Sequence, residues 1–157
     1  CVEKLTFNPD GTIQQLPFWT AKGVDPVGKL DPYRRIEAET IAWSEGLKTE
    51  KSEAGMYVTA IHDGDYIRVR NVDFKKGAKS FEAVAASSSS GGQIEIRLDD
   101  KEGMLIGTCV IGNTGGPESW KTFQAQVDKV KGVHDVYFIF RGGEDELFNF
   151  DCWKFIR

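Results

Sequence analysis

The chain is poor in the residues from which catalytic sites are usually built. Its 157 residues hold two histidines, His62 and His134, and three cysteines, Cys1, Cys109 and Cys152, with no CxxC pair. Cysteines so far apart exclude a thiolate zinc site and leave room for one bridge at most. No serine or cysteine stands in a nucleophile motif, and neither histidine is placed beside one. Excess positive charge is also missing. Twenty Lys plus Arg face 24 Asp plus Glu, for a net charge of −4 and a pI near 5.3, so neither nucleic acid nor a membrane surface is an expected partner. The uncharged stretch Gly103 to Gly116 is broken by Gly, Thr and Asn, and it falls short of the roughly 20 apolar residues a spanning helix needs. The acidic run Glu144, Asp145, Glu146 reads as a solvated loop rather than a catalytic carboxylate pair.

What remains is enough for one globular domain: 40% hydrophobic residues, 11% aromatic, and 17 glycines. Residues 1–33 read as an extended connector. Asn8-Pro9-Asp10-Gly11 is a turn signature, and Pro17, Pro26 and Pro32 recur. Val2, Leu5 and Phe7 before that turn, with Ile13, Leu16, Phe18 and Trp19 after it, predict a short hairpin, packed either on a neighbouring domain or on this one. The chain begins with Cys and no signal segment precedes it, so it reads as part of something longer.

Residues 34–157 show short period-two runs separated by Gly, Asp, Asn and Ser, the pattern of an all-β sandwich. Alternation places Ile67 and Val69 inside with Tyr66, Arg68 and Arg70 outside, and Ile94, Ile96 and Leu98 inside. Val136, Phe138 and Phe140 should face the core while Tyr137 and Ile139 point away, and Trp153 and Phe155 repeat the inward pattern in the last strand. Ser87 to Gly92 reads as a flexible hairpin loop.

Two constellations carry chemistry. In Ile36-Glu37-Ala38-Glu39 the carboxylates at i and i+2 project to one side of a strand, where they repel. A hard cation with six to eight oxygen ligands, such as calcium, would reverse that cost, and Asp151 completes the set if first and last strands are neighbours. Solvated carboxylates are the plain alternative. The second is an aromatic surplus near turns, Trp43, Tyr57, Tyr66, Trp120 and Phe148, where rings either stack on sugars or close the ends of the sandwich.

With Gly64-Asp65-Tyr66, Val72-Asp73-Phe74, Thr114-Gly115-Gly116, His134-Asp135-Val136-Tyr137 and Asn149-Phe150-Asp151, the Ile36 to Glu39 motif makes the stretch from Tyr33 to Arg157 resemble a family 6 carbohydrate-binding module. Phe7 to Ile13 and Leu30 to Tyr33 are similar to the stretch joining a family 43 glycoside hydrolase to such a module. The resemblance implies a jelly-roll β-sandwich without catalytic activity. It also implies a structural calcium held by Glu37, Glu39 and Asp151, with a backbone carbonyl from the Glu53 to Met56 loop. The expected partners are a plant cell-wall polysaccharide of xylan or arabinoxylan type and an upstream catalytic domain, in a secreted protein.

The family's loop cleft holds a sugar between two rings and an asparagine. Here the ring positions carry Ala60 and Pro117, and only Asn149 remains. Three readings stay open. Tyr57 and Trp120, each three residues away, replace the rings; or the glycan lies on a sheet face lined by Arg68, Arg70, Glu82, Gln93, Glu95 and Arg97; or the module has lost its cleft and serves structurally against the catalytic domain.

Overall fold

The computed structural model describes residues 5–15, 28–53 and 55–157. Among the described residues eleven strands form: β1 Ile36–Glu37, β2 Trp43–Glu45, β3 Lys48–Lys51, β4 Met56–Thr59, β5 Tyr66–Asp73, β6 Ser80–Ala86, β7 Gly92–Leu98, β8 Met104–Ile111, β9 Lys121–Gln126, β10 Val133–Gly142 and β11 Asn149–Ile156. One sheet runs β3-β4-β11-β6-β9, with β1 also on β11; the other runs β2-β5-β10-β7-β8. Consecutive strands therefore switch repeatedly between sheets, and all named strand pairs are antiparallel. Both sheets turn one apolar face inward, the arrangement that buries a period-two pattern from each side.

The inward residues read from alternation are buried: Ile67, Val69, Ile94, Ile96, Leu98, Val136, Phe138, Phe140, Trp153 and Phe155. Rings dominate the middle of the core. Phe138 packs on Trp153 at 5.0 Å and on Phe81 at 5.4 Å between centroids, and Phe155 stands edge-on to Phe74 at 4.9 Å. The last residues of the connector are laid onto the sandwich. Leu30 bridges Val72, and the Tyr33 hydroxyl reaches Phe74 O at 2.6 Å and Gly77 O at 2.7 Å.

Three expectations need correction. Ile139 does face away from the core, yet it is only 4% exposed: it sits mid-sheet between Tyr66 and Glu95, whose larger side chains flank it. Phe148 lies in the loop before β11 but offers no ring to a sugar: it is buried, edge-on to Phe140 at 5.7 Å. The serine-rich segment is no flexible hairpin, because β6 and β7 lie in different sheets. It is a tied crossover: Ser87 and Ser89 hydroxyls donate to Leu147 O at 2.7 and 2.9 Å, and Ser87 N–H donates to Thr114 Oγ1. Gly91 closes it at φ +81°, where a Cβ would fall 2.0 Å from Ile111 O.

Cys109 on β8 and Cys152 on β11 are buried free thiols. Burial pushes them up from 9.0, to about 11 and about 12 respectively. The folded thiols stay protonated where unfolded ones ionise, so their contribution is complete below about pH 9 and lost as pH rises through 11 to 12. Urea unfolding measured from pH 8 to 11 should show stability falling, with a shallower fall in Cys152→Ala. Phe138→Ala, which empties the centre of the ring cluster, should cost about 3–5 kcal/mol in the same assay.

Candidate functional site

The first candidate begins with an irregularity in β11. Between Phe150 and Cys152 the register against β6 shifts by one residue, leaving Asp151 as the extra residue of a β-bulge. Its carbonyl accepts from Ala38 N–H at 2.8 Å, and its carboxylate comes beside that of Glu37 because Glu37 pairs with Cys152. Oxygens of Glu37 and Asp151 and the Cys152 sulfur lie within 4.8 Å of one another. The arrangement expected of Glu39 is not found. β1 stops at Glu37, and Ala38 and Glu39 form a turn closed by Thr40 N–H on Glu37 O; the extended i, i+2 geometry ends there.

The acid pair has a cation of its own. Arg35 donates from Nε and Nη2 to Glu37 at 3.0 and 2.9 Å and from Nη2 to Asp151 Oδ2 at 2.9 Å. Glu37 holds the guanidinium above its ordinary pKa, against the opposing effect of burial. Glu39 differs: its Oε2 is buried and has no hydrogen-bond partner, the state of a carboxylate whose counter-charge is absent. The donor set that converges is hard oxygen from Glu37 and Asp151, which suits a cation such as calcium; Glu39 is not among the converged atoms. Cys152 does not belong to it, since a soft, protonated sulfur is a poor ligand for calcium. The Gly55 carbonyl, in the loop expected to contribute, accepts from Ser52 N–H at 2.8 Å.

The second candidate is the end of the sandwich where Ala60, Pro117 and Asn149 converge. Asn149 Nδ2 donates to Pro117 O at 2.8 Å, and its Oδ1 accepts from Thr59 Oγ1 at 2.7 Å. Ala60, in the left-handed region at φ +54°, donates its N–H to Glu146 Oε1 at 3.0 Å. Sequence reasoning left Glu146 in a solvated loop; only the fold brings its carboxylate to this junction. The hollow here is shallow, about 100 Å³, lined by Ser87, Ser88, Pro117, Glu146 and Asn149 among others. Asn149 is 7% exposed and already bonded at both ends. Tyr57 and Trp120 do meet, edge to face at 5.3 Å, but they pack on each other, and Tyr57 is 6% exposed with its hydroxyl on Glu50. No slot for a sugar lies between them.

The third candidate is the outer face of the five-stranded sheet. Cross-strand partners share a face, so the register puts Trp43, Arg68, Tyr137 and Arg97 in one row and Glu45, Tyr66, Ile139 and Glu95 in the next. Tyr66 and Tyr137 stand 6.2 Å apart, and Arg68 lies 5.7 Å over the Tyr137 ring, held by Asp135 at 2.7 Å. Glu95 joins Arg97 at 3.0 Å. Trp43 is 62% exposed at the edge of the sheet. Four residues expected on this face, Arg68, Gln93, Glu95 and Arg97, share it. Glu82 does not: it is on β6 in the opposite sheet, paired with Lys154 at 2.8 Å. Tyr137 was legible as an outward residue, but that Trp43 joins it depends on β2 pairing with β5, which no local pattern announces.

A sandwich of two antiparallel sheets is an architecture this chain shares with solved carbohydrate-binding modules. The chain belongs to carbohydrate-binding module family 6, whose profile it matches over residues 37–157; modules of this family bind carbohydrate and are not catalytic. It is 45% identical over 164 residues to an arabinoxylan arabinofuranohydrolase of Bacillus subtilis (strain 168), covering 99% of this chain and 32% of that protein. It thus spans about a third of that relative. A crystal structure of a family 43 arabinoxylan arabinofuranohydrolase from Bacillus subtilis in complex with cellotetraose superposes with a TM-score of 0.89 at 44% identity, over 99% of this chain and 33% of that one. A family 6 module from Clostridium cellulolyticum in complex with xylose gives 0.80 at 41%, over 82% of this chain and all of that one.

Because Asn149 ties Thr59 to the Pro117 loop, Asn149→Ala should cost about 1 kcal/mol by urea unfolding, since two hydrogen bonds are lost while Thr59 keeps Glu146 as a partner and Pro117 lies at the surface.

Proposed function

We propose that this module holds a secreted arabinoxylan-degrading hydrolase on its polymer, gripping a xylan- or arabinoxylan-type chain on the outer face of the five-stranded sheet. The observation that carries this is the ring platform: Trp43 largely exposed, with Tyr66 and Tyr137 in adjacent rows and charged groups of Arg68, Glu95 and Arg97 between. Flat rings take the apolar faces of sugars, and fixed polar groups take hydroxyls. The relatives support the polymer class, one named for arabinoxylan and one solved with xylose. Tethering acts through effective concentration at an insoluble substrate, and that role places the protein outside the cell. The end hollow at Asn149, with Tyr57 and Trp120 near it, is the second reading, supported by the family asparagine being kept there.

Titration with xylo-, arabino- and cello-oligosaccharides, with soluble arabinoxylan alongside, tests both. Saturable binding to the xylo-series that falls at least tenfold in Trp43→Ala, with an unchanged melt, is the expected result. Loss in Trp120→Ala with Trp43→Ala silent would move the site to the end hollow. No binding to any series would leave the module a structural appendage of its hydrolase.

We further propose that Glu37, Glu39 and Asp151 hold a structural calcium. The support is twofold: the converged oxygens of Glu37 and Asp151, and, two residues along the chain from Glu37, a buried Glu39 oxygen without a hydrogen-bond partner. The ion would supply positive charge to hard oxygens; the chain's own part is to bring β1 and β11 together and, in Arg35, to offset one of the two negative charges of Glu37 and Asp151. A ligand at 100 times its Kd stabilises the folded state by about 2.7 kcal/mol. Chelation should therefore lower Tm by roughly 5 °C or more, and Glu39→Gln should remove that sensitivity. A melt indifferent to calcium in the unsubstituted chain would sink the site.

A further inference from the structure

Residues 5–15 form a small hairpin about the Asn8-Pro9-Asp10-Gly11 turn, with Phe7 paired to Ile13. Its two faces differ sharply. Thr6, Asn8, Thr12 and Gln14 occupy one, where Thr6 Oγ1 donates to Gln14 Oε1 at 2.8 Å and Asn8 Nδ2 to Thr12 Oγ1 at 2.9 Å. Leu5, Phe7 and Ile13 share the other and are 46, 59 and 61% exposed. Among the described residues the hydrogen bonds of this segment close within it. A two-stranded hairpin standing alone is marginal in water, and one with an apolar face outward is poorer still.

The module structure from Clostridium cellulolyticum is matched over its whole length yet leaves about a fifth of this chain uncovered, and the family profile starts only at residue 37. The Bacillus subtilis hydrolase, of which the matched region is a third, covers 99% of the chain, hairpin included. The hairpin thus lies before the family profile and within the stretch that the hydrolase-bearing relative matches.

We propose that residues 5–15 dock their Leu5–Phe7–Ile13 face onto the hydrolase domain that precedes the module, so that the structural boundary between the two domains falls after the hairpin and not before it. This rests on the reading that the module is part of such a hydrolase. The polar face, with its side-chain hydrogen bonds already made, is the side left to water.

The test compares the 157-residue chain with a chimera in which it replaces the matched C-terminal third of the Bacillus subtilis arabinofuranohydrolase. In hydrogen exchange, the amides of Asn8, Gly11 and Gln14 should exchange freely in the chain alone and be protected at least tenfold in the chimera. Phe7→Asp should lower the Tm of the hydrolase transition by about 2 °C or more and leave the module's transition unchanged. If that variant does not fold, the milder Ile13→Val should shift the same transition in the same direction, while Thr12→Val on the polar face leaves it unmoved. Equal protection with and without the hydrolase domain, or a Phe7→Asp effect confined to the module's melt, overturns the docking. Glycan titration of the same chimera reports separately: lost retention with a protected hairpin refutes the binding reading alone.

Discussion

The sandwich depends on the last strand having one residue too many. In a regular strand Phe150 and Trp153, three apart, would point to opposite faces. The bulge at Asp151 resets the alternation, so both reach the core, where Phe138 packs against each. The same bulge turns Asp151 outward toward Arg35 and Glu37, and aims its carbonyl at Ala38. One irregularity thus fills the core, seats the first strand and builds the acid cluster.

The bulge also marks the limit of what local pattern can reveal. The inward residues of β5, β7 and β10 followed from alternation because those strands are long and their two faces differ in polarity. Phe150 could not be placed that way, since its orientation depends on a ladder slip with β6. The extended geometry read for Glu37 and Glu39 was lost for a related reason: the spacing assumed a strand, and the chain turns at Ala38. Glu146 lay in an acidic run that looks solvated from any local window, and its contact with Ala60 spans 86 residues.

Family resemblance supplied what pattern could not. It located the three positions that converge at the end of the sandwich, and they do converge. But with alanine and proline in the ring positions, the asparagine there has become a clamp between Thr59 and Pro117. Its amide is already bonded at both ends within the protein, whereas Trp43 on the sheet is 62% exposed.

Arg35 gives the junction of first and last strands a property that a bound ion alone could not. A dissolved cation occupies its ligands only as far as the medium supplies it. A guanidinium one residue before β1 is a counterion at fixed local concentration, present whatever the surrounding water contains. The clasp between the two ends of the domain therefore carries a built-in counter-charge at Glu37 and Asp151, while the Oε2 of Glu39 is left without a hydrogen-bond partner.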